Sequence, residues 1–182
     1  MVMERADVLS LLGEAFREHG YEGASLSVIT KQTGLGRGSL YHFFPGGKAE
    51  MAAAVLEDIE AWFEREIFAP LRSEADAQTA IDAMWEAVSA YFQSGQRVCL
   101  VGAFALSDTR DRFASAVNAY FERWIEALAD ALGRQGHDGE RADAIAEQVV
   151  AGIQGAITLA RARRDAGLLE RGISGLRAMT EK

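Results

Sequence analysis

Cysteine, proline and long apolar runs are scarce in this chain of 182 residues. The one cysteine, Cys99, cannot close an intrachain disulfide, and with three histidines it forms no Cys/His cluster for a metal site. The two prolines, Pro45 and Pro70, leave room for long unbroken helices. The longest uncharged stretch near the C-terminus, residues 148–160, contains Gln154 and two glycines and is too short and too polar to cross a bilayer. The opening Met-Val-Met-Glu-Arg-Ala-Asp mixes charges from the start, so no secretory signal and a soluble, reduced, cytoplasmic setting are expected. Catalytic motifs are also missing. Gly34-Leu35-Gly36-Arg37-Gly38 fails as a dinucleotide fingerprint because Ser39 stands where the third glycine belongs and no strand precedes it. Gly46-Gly47-Lys48 fails as a P-loop because Ala49 replaces the Ser/Thr and His42 replaces the first glycine. No Gly-x-Ser-x-Gly elbow or His-Glu-x-x-His helix occurs. No catalytic residue, metal or cofactor is therefore assigned.

Acidic residues are absent from one informative place. The net charge of −8 argues against a surface that coats nucleic acid or anionic membrane throughout. Yet residues 24–48 carry no Asp or Glu, while Lys31, Arg37 and Lys48 lie there. From residue 49 onward, 14 Lys+Arg face 22 Asp+Glu. A small basic head precedes an acidic body, the pattern of a local anion-binding element.

Hydrophobic residues make up 49% and charged residues 25%, so a packed core rather than disorder is expected. Its period is helical throughout, with no alternating β-branched run and no hairpin signal. Residues 4–19 place Val8, Leu12, Ala15, Phe16 and His19 at helical spacing, and Gly20 stops that helix. Ser25 or Ser27 caps a short helix to Thr33, Gly34 ends it, and a third runs over 37–43 until Pro45. A long helix is predicted over 48–68, ended by Pro70, and another over 75–94. After a short apolar segment at 97–106 come helices over 111–132, 143–164 and 168–179, with a loop at 133–139.

Two short helices meeting across Thr33-Gly34-Leu35-Gly36 form a helix-turn-helix pattern, whose second helix enters the DNA major groove. Arg37 suits a phosphate or guanine, and Ser39, Tyr41 and His42 carry polar tips that reach phosphate oxygens. Lys48, at the start of the next helix, adds a cation to a helix N-terminus. Ser25, Ser27, Lys31 and Gly36 complete the candidate DNA-binding set, while Leu40 and Phe43 are expected to face inward. Such a stretch alone is often only two packed helices, and His42 could serve merely as a cation at a helix C-terminus.

The run 25–50, SLSVITKQTGLGRGSLYHFFPGGKAE, resembles the DNA-binding domain of the TetR family of transcriptional regulators, and residues 4–23 look like that family's first helix with its Gly-Tyr end. The Pro-Gly-Gly-Lys step and the later VCLVGAFAL are similar to an LmrA/YxaF-like subgroup. The resemblance implies an all-α fold: a helix-turn-helix domain over 1–47 and a ligand-binding and dimerisation domain over 48–182, with helix 48–68 as connector. It further implies a repressor that leaves a palindromic operator when a small hydrophobic or aromatic effector binds. Gly36 departs from the family, which often has Ser as N-cap of the second helix; glycine caps nearly as well but lacks a hydroxyl for phosphate.

Helical bundles build ligand cavities between facing helices. The candidate lining comprises Trp62, Met84, Trp85, Val88, Phe92, Cys99, Phe104, Phe113, Val117, Tyr120, Phe121 and Trp124, although most aromatics at helical spacing are core and Cys99 reads as a small buried hydrophobe. The face of Val149, Gly152, Ile153, Ala156, Leu159 and Ala160 mixes small and apolar residues and is the candidate homodimer seam; it could equally pack within one subunit. The competing functional reading is a helical ligand-binding dimer without specific DNA recognition. A small all-helical enzyme is a third reading, without motif support.

Overall fold

The computed structural model describes residues 4–181. Met1 to Met3, part of the opening on which the absence of a secretory signal was expected, and Lys182 lie outside the described residues. Among the described residues there are helices and no strand: α1 (Arg5–Gly23), α2 (Leu26–Thr33), α3 (Arg37–Phe43), α4 (Gly47–Phe63), α5 (Ala69–Ser73), α6 (Ala77–Tyr91), α7 (Leu100–Ala105), α8 (Thr109–Arg112), α9 (Ala114–Gln135), α10 (Gly139–Arg163) and α11 (Gly167–Arg177). No helix of the described residues is long and apolar enough to cross a membrane.

Two expected breaks fall elsewhere. Pro70 does not end the helix that begins with α4. A π-helical turn over Glu64–Phe68 follows α4 directly, closed by the Ala69 amide donating to the Glu64 carbonyl, and Pro70 sits in the first turn of α5. Proline lacks an N–H, but the first turn of a helix needs no such donor. Widening the preceding turn by one residue lets the helical path continue past it. Gly133 likewise does not open a loop. It lies inside α9, and Gly136, at φ +103°, terminates the helix while His137 N–H donates to the Leu132 carbonyl at 3.0 Å.

The chain forms two compact units. One takes the described residues up to Ala61 together with Leu100–Val117; the other takes Trp62–Cys99 and Asn118 onward. Packing thus divides the chain inside α4 and returns α7 and α8 to the N-terminal unit, where the sequence suggests a single cut after residue 47. The N-terminal core is built from Val8, Leu12 and Phe16 of α1, Ile29, Leu40, Phe44, Met51 and Val55, all but sealed from solvent. Phe16, Tyr21, Phe104 and Phe113 join rings at its α7 side, with centroids 5.5–6.3 Å apart.

The C-terminal unit centres on Phe63. Its ring meets Tyr91, Phe92, Phe68, Tyr120 and Trp124 at 4.9–6.3 Å. Asp76 caps α6 by accepting from the Thr79 amide and hydroxyl, and the hydroxyl bond holds its carboxyl below the ordinary range. Helices α10 and α11 close together because small residues line their contact. A methyl group at Gly152 would meet Leu176 at 2.6 Å, and one at Gly172 would meet Ala156 at 2.9 Å.

The expected dimer seam is corrected here. Val149, Ile153, Ala156 and Ala160 are buried within the chain and Gly152 is half-buried; of that set only Leu159, 52% exposed, faces outward. The small-residue signal was real, but its partner is α11 of the same chain.

Gly95 fixes the turn between α6 and α7. It sits at φ +90°, and a Cβ there would lie 3.0 Å from those of Ala160 and Leu169. Gly95→Ala is therefore expected to lower the unfolding free energy by about 2 kcal/mol in chemical denaturation. Gly133→Ala, in helix and with open space around it, is expected to raise it by about 0.5–1 kcal/mol.

Candidate nucleic-acid interface

The interface is assembled from two short helices and the turn between them. Ser25 caps α2, its Oγ accepting from the Val28 amide at 3.3 Å and lying 2.9 Å from the Ser27 Oγ. Gly34 ends α2 at φ +70°, a conformation glycine adopts without strain. Thr33, which sequence reasoning did not single out, pins the turn from inside. Buried at 3% exposure, its hydroxyl donates to the Ile29 carbonyl at 2.8 Å and accepts from the Leu35 amide at 3.2 Å. Its signal was positional: a small hydroxyl one residue before the turn glycine, able to bond back to the carbonyl four residues earlier.

Gly36 is the N-cap of α3, with extended backbone and no side-chain oxygen to offer. On α3, Leu40 is fully buried, and Arg37, Gly38, Ser39, Tyr41 and His42 are exposed. The buried anchor assigned to Phe43 is supplied chiefly by Phe44: Phe43 is half-buried, whereas Phe44 is sealed and has the Arg5 guanidinium 5.3 Å above its ring. Arg37 and Tyr41, four residues apart, share one side of the exposed face. Gly38 lies between Arg37 and Ser39 with open space around it, so backbone can approach a partner closely there. The Tyr41 ring rests beside Gly47, whose φ of +70° turns the chain into α4.

Lys31 is exposed in the last turn of α2, and Ser25 and Ser27 are exposed at its start. Lys48 is placed differently. Its ammonium donates to the Tyr21 carbonyl at 2.9 Å, lies 4.4 Å above the Tyr21 ring and stands 3.9 Å from a Glu22 carboxylate oxygen. These partners turn it into a clasp between α1 and α4.

The candidate ligand-lining residues separate into two groups. Phe104, Phe113 and Val117 belong to the N-terminal unit. In the C-terminal unit, Met84, Val88, Phe92 and Trp124 are fully buried, Trp85 and Tyr120 almost so, Cys99 is buried, and Trp62 and Phe121 are half-buried. The Trp62 ring lies tilted against Tyr91 at 4.5 Å, and Phe121 edges Tyr120 at 5.0 Å. The Trp85 indole N–H reaches the Thr180 hydroxyl at 3.4 Å, whereas the buried Trp124 indole N–H has no hydrogen-bond partner among the described residues.

Comparison with known proteins agrees with this arrangement. Residues 13–55 match the model of the bacterial regulatory proteins of the tetR family, and residues 77–173 match the C-terminal domain of the LmrA/YxaF-like transcriptional regulators. The chain is 26% identical over 159 residues to the helix-turn-helix-type transcriptional regulator LmrA of Bacillus subtilis, covering 85% of each chain. It is 29% identical over 159 residues to an uncharacterized helix-turn-helix-type regulator of Mycobacterium tuberculosis, covering 82% of this chain and 79% of that one. Its fold is similar to a TetR transcriptional regulator from Legionella pneumophila, with TM-score 0.85 at 21% identity over 100% of this chain and 99% of the other. It is also similar to the TetR family regulator CifR, a cysteine mutant complexed with 26-bp double-strand operator DNA, with TM-score 0.77 at 22% identity over 99% and 97% of the two chains.

Because Lys48 bonds a backbone carbonyl and covers a ring, Lys48→Ala is expected to cost about 1–2 kcal/mol of stability. Urea unfolding followed by circular dichroism measures it. Lys31→Ala, exposed on α2, is expected to leave the midpoint unchanged.

Proposed function

The chain belongs to the TetR family of bacterial regulatory proteins, as a transcriptional regulator with a helix-turn-helix and an LmrA/YxaF-like C-terminal domain, and from that premise we propose that it is a homodimeric, cytoplasmic repressor released from its operator by a small hydrophobic effector. The family and the matched relatives are transcriptional regulators, not enzymes. The observation that carries the proposal is the face of α3. Five of its seven residues, Arg37, Gly38, Ser39, Tyr41 and His42, are exposed while Leu40 anchors it, in a stretch free of acidic residues. A protein of charge −8 that keeps carboxylates out of residues 24–48 removes the largest obstacle to approaching phosphate there.

In this reading residues 1–47 recognise DNA. Arg37 and Tyr41 meet the groove and its backbone, and Ser39, His42, Lys31, Ser25 and Ser27 contact phosphates. Lys48 acts through Tyr21, holding α1 against the start of α4. Residues 48–182 bind the effector and the second copy. Two copies set their recognition helices about 34–36 Å apart, or a multiple of that, on an inverted repeat. CifR, the relative solved on operator DNA, supports assigning this role to the matching unit here.

The copy-to-copy contact is assigned to the outward face of α10, where Ala144, Gln148, Ala151, Gly155, Leu159 and Ala162 are all exposed. Their spacing keeps them on one stripe, and the small Ala144, Ala151, Gly155 and Ala162 let a second helix approach. The effector acts through differential affinity. If it favours an arrangement with the wrong helix spacing, operator affinity falls by the same factor by which the operator weakens effector binding, with typical coupling of about 1–3 kcal/mol. Helix α4 carries the change, because the unit division falls within it at Ala61–Trp62.

Selection from a random duplex library at fixed salt is expected to enrich an inverted repeat; a folded dimer that enriches nothing favours the ligand-binding reading without DNA recognition. On the selected site, Arg37→Ala and Tyr41→Ala are expected to weaken binding by about tenfold each. Sedimentation should show the dimer intact in both. Wild-type affinity in either variant removes that residue from the interface. Ala151→Glu, on the α10 stripe, is expected to shift the sedimenting species to monomer while the helical circular dichroism signal is kept.

A further inference from the structure

We propose that an open cleft at the C-terminal end of α10 is a second small-molecule site, built for an organic acid: a carboxylate on a compact apolar body. The cleft measures about 320 Å³ and is lined by Gly95, Gln96, Ala160, Arg161, Arg164 and Ala166. That volume is at the lower end of the roughly 300–1,000 Å³ range of small-molecule sites. Gly95 and Ala160 are buried and form a small apolar floor, and the lining residues Gln96, Arg161 and Arg164 are exposed.

The positive charge of the lining is uncompensated. Among the described residues, neither Arg161 nor Arg164 forms an ion pair, in a protein with 27 acidic residues. The carboxylates of the same segment are already taken. Asp165 pairs with Arg171 at 2.5 Å and accepts from the Gly167 amide at 3.1 Å, and Glu170 accepts from the Ser89 hydroxyl. The Arg171 hydrogen bond holds the Asp165 carboxyl below its ordinary range, so it stays an ionised, occupied partner of Arg171.

The backbone singles out the same place. Among the described residues, two non-glycine positions adopt left-handed φ, Gln93 at +49° and Arg164 at +52°, and Arg164 lines this cleft. Gln93 begins the short turn that ends at Gly95, and Arg164 is the C-cap of α10. Left-handed C-caps favour glycine, and any other side chain there is strained. An arginine at a helix C-terminus also offsets the helix dipole, but Arg161 and Arg163 in the last turn of α10 already do so. What the dipole leaves unexplained is a strained arginine at the cap, lining a cleft together with a second unpaired arginine. A paired guanidinium fork is the natural receptor for a carboxylate. The small apolar floor favours a ligand with a hydrocarbon body over a bare ion.

Calorimetric titration of the full chain with benzoate, and separately with inorganic phosphate, tests this. Benzoate is expected to bind saturably, and Arg164→Gly and Arg161→Gln are each expected to weaken it by about tenfold. Phosphate is expected to bind at least about tenfold more weakly than benzoate. Arg164→Gly should also raise the ligand-free Tm by about 2–4 °C, because it relieves the left-handed strain, so its loss of binding cannot be loss of fold. No benzoate binding to the unaltered protein, or undiminished binding in both variants, overturns the site. Phosphate binding as strong as benzoate overturns the assigned ligand class. The site does not depend on DNA recognition, so failure to select an operator leaves this result independent.

Discussion

The clasp between Lys48 and Tyr21 is the contact on which the N-terminal unit turns. The Tyr21 ring is stacked on Phe16, edged by Phe104 and Phe113, and covered by the Lys48 ammonium on one side and the Arg112 guanidinium 5.5 Å away. Its carbonyl takes the Lys48 hydrogen bond. One residue at the end of α1 therefore touches the beginning of α4 and the α7–α8 segment at once. A charged hydrogen bond beside a ring is worth more than either part in water, because the buried rings exclude solvent from it. The helix-turn-helix lies between these fixed points. Its two helices have eight and seven residues, too short to persist alone, so they owe their existence to a frame that α1 and α4 supply.

That dependence explains what was legible in the sequence. The turn chemistry of the first 47 residues could be read directly, since Ser25, Gly34, Gly36 and Pro45 act through local backbone rules. Helix α3 occupies the span its pattern implies, and Gly20 breaks the helical path of α1 at φ +67°. The charge of Lys48 is visible in the sequence, but its partner, 27 residues earlier, is not. Phe43 and Phe44 are adjacent aromatics of equal hydrophobicity, so the sequence pattern does not say which one enters the core.

Farther along, period alone was not enough. Pro70 is a breaker by any local rule, yet a π-helical turn shifts the hydrogen-bond register ahead of it. That turn is held on its outer side by Glu64, which pairs with both Arg72 and Arg123, and on its inner side by Ile67 and Phe68, fully buried. Neither ion-pair partner could be assigned from a sequence in which arginines and carboxylates are scattered along every helix. The seam on α10 shows the same limit. Gly152, Ala156 and Ala160 did announce a close helix contact, but a small-residue face cannot say whether its partner is in the same chain. Leu176 and Gly172 of α11 answered that.

The aromatic centre of the C-terminal unit constrains what can act on it. Phe63 is in ring contact with six neighbours, so a molecule entering there must displace side chains that already satisfy one another. Two features lower that barrier. Trp62 and Phe121 are only half-buried and flank the cluster, and the Trp124 indole N–H is buried without an acceptor among the described residues. A buried donor left unpaired costs free energy that a ligand carbonyl or ether oxygen recovers on binding. If the proposed effector enters here, one with an acceptor gains more than a hydrocarbon of equal size. Phe63 closes α4 and the π-helical turn begins at the next residue. Under the proposed function, the end of α4, rather than a loop, is the element that an effector would bias.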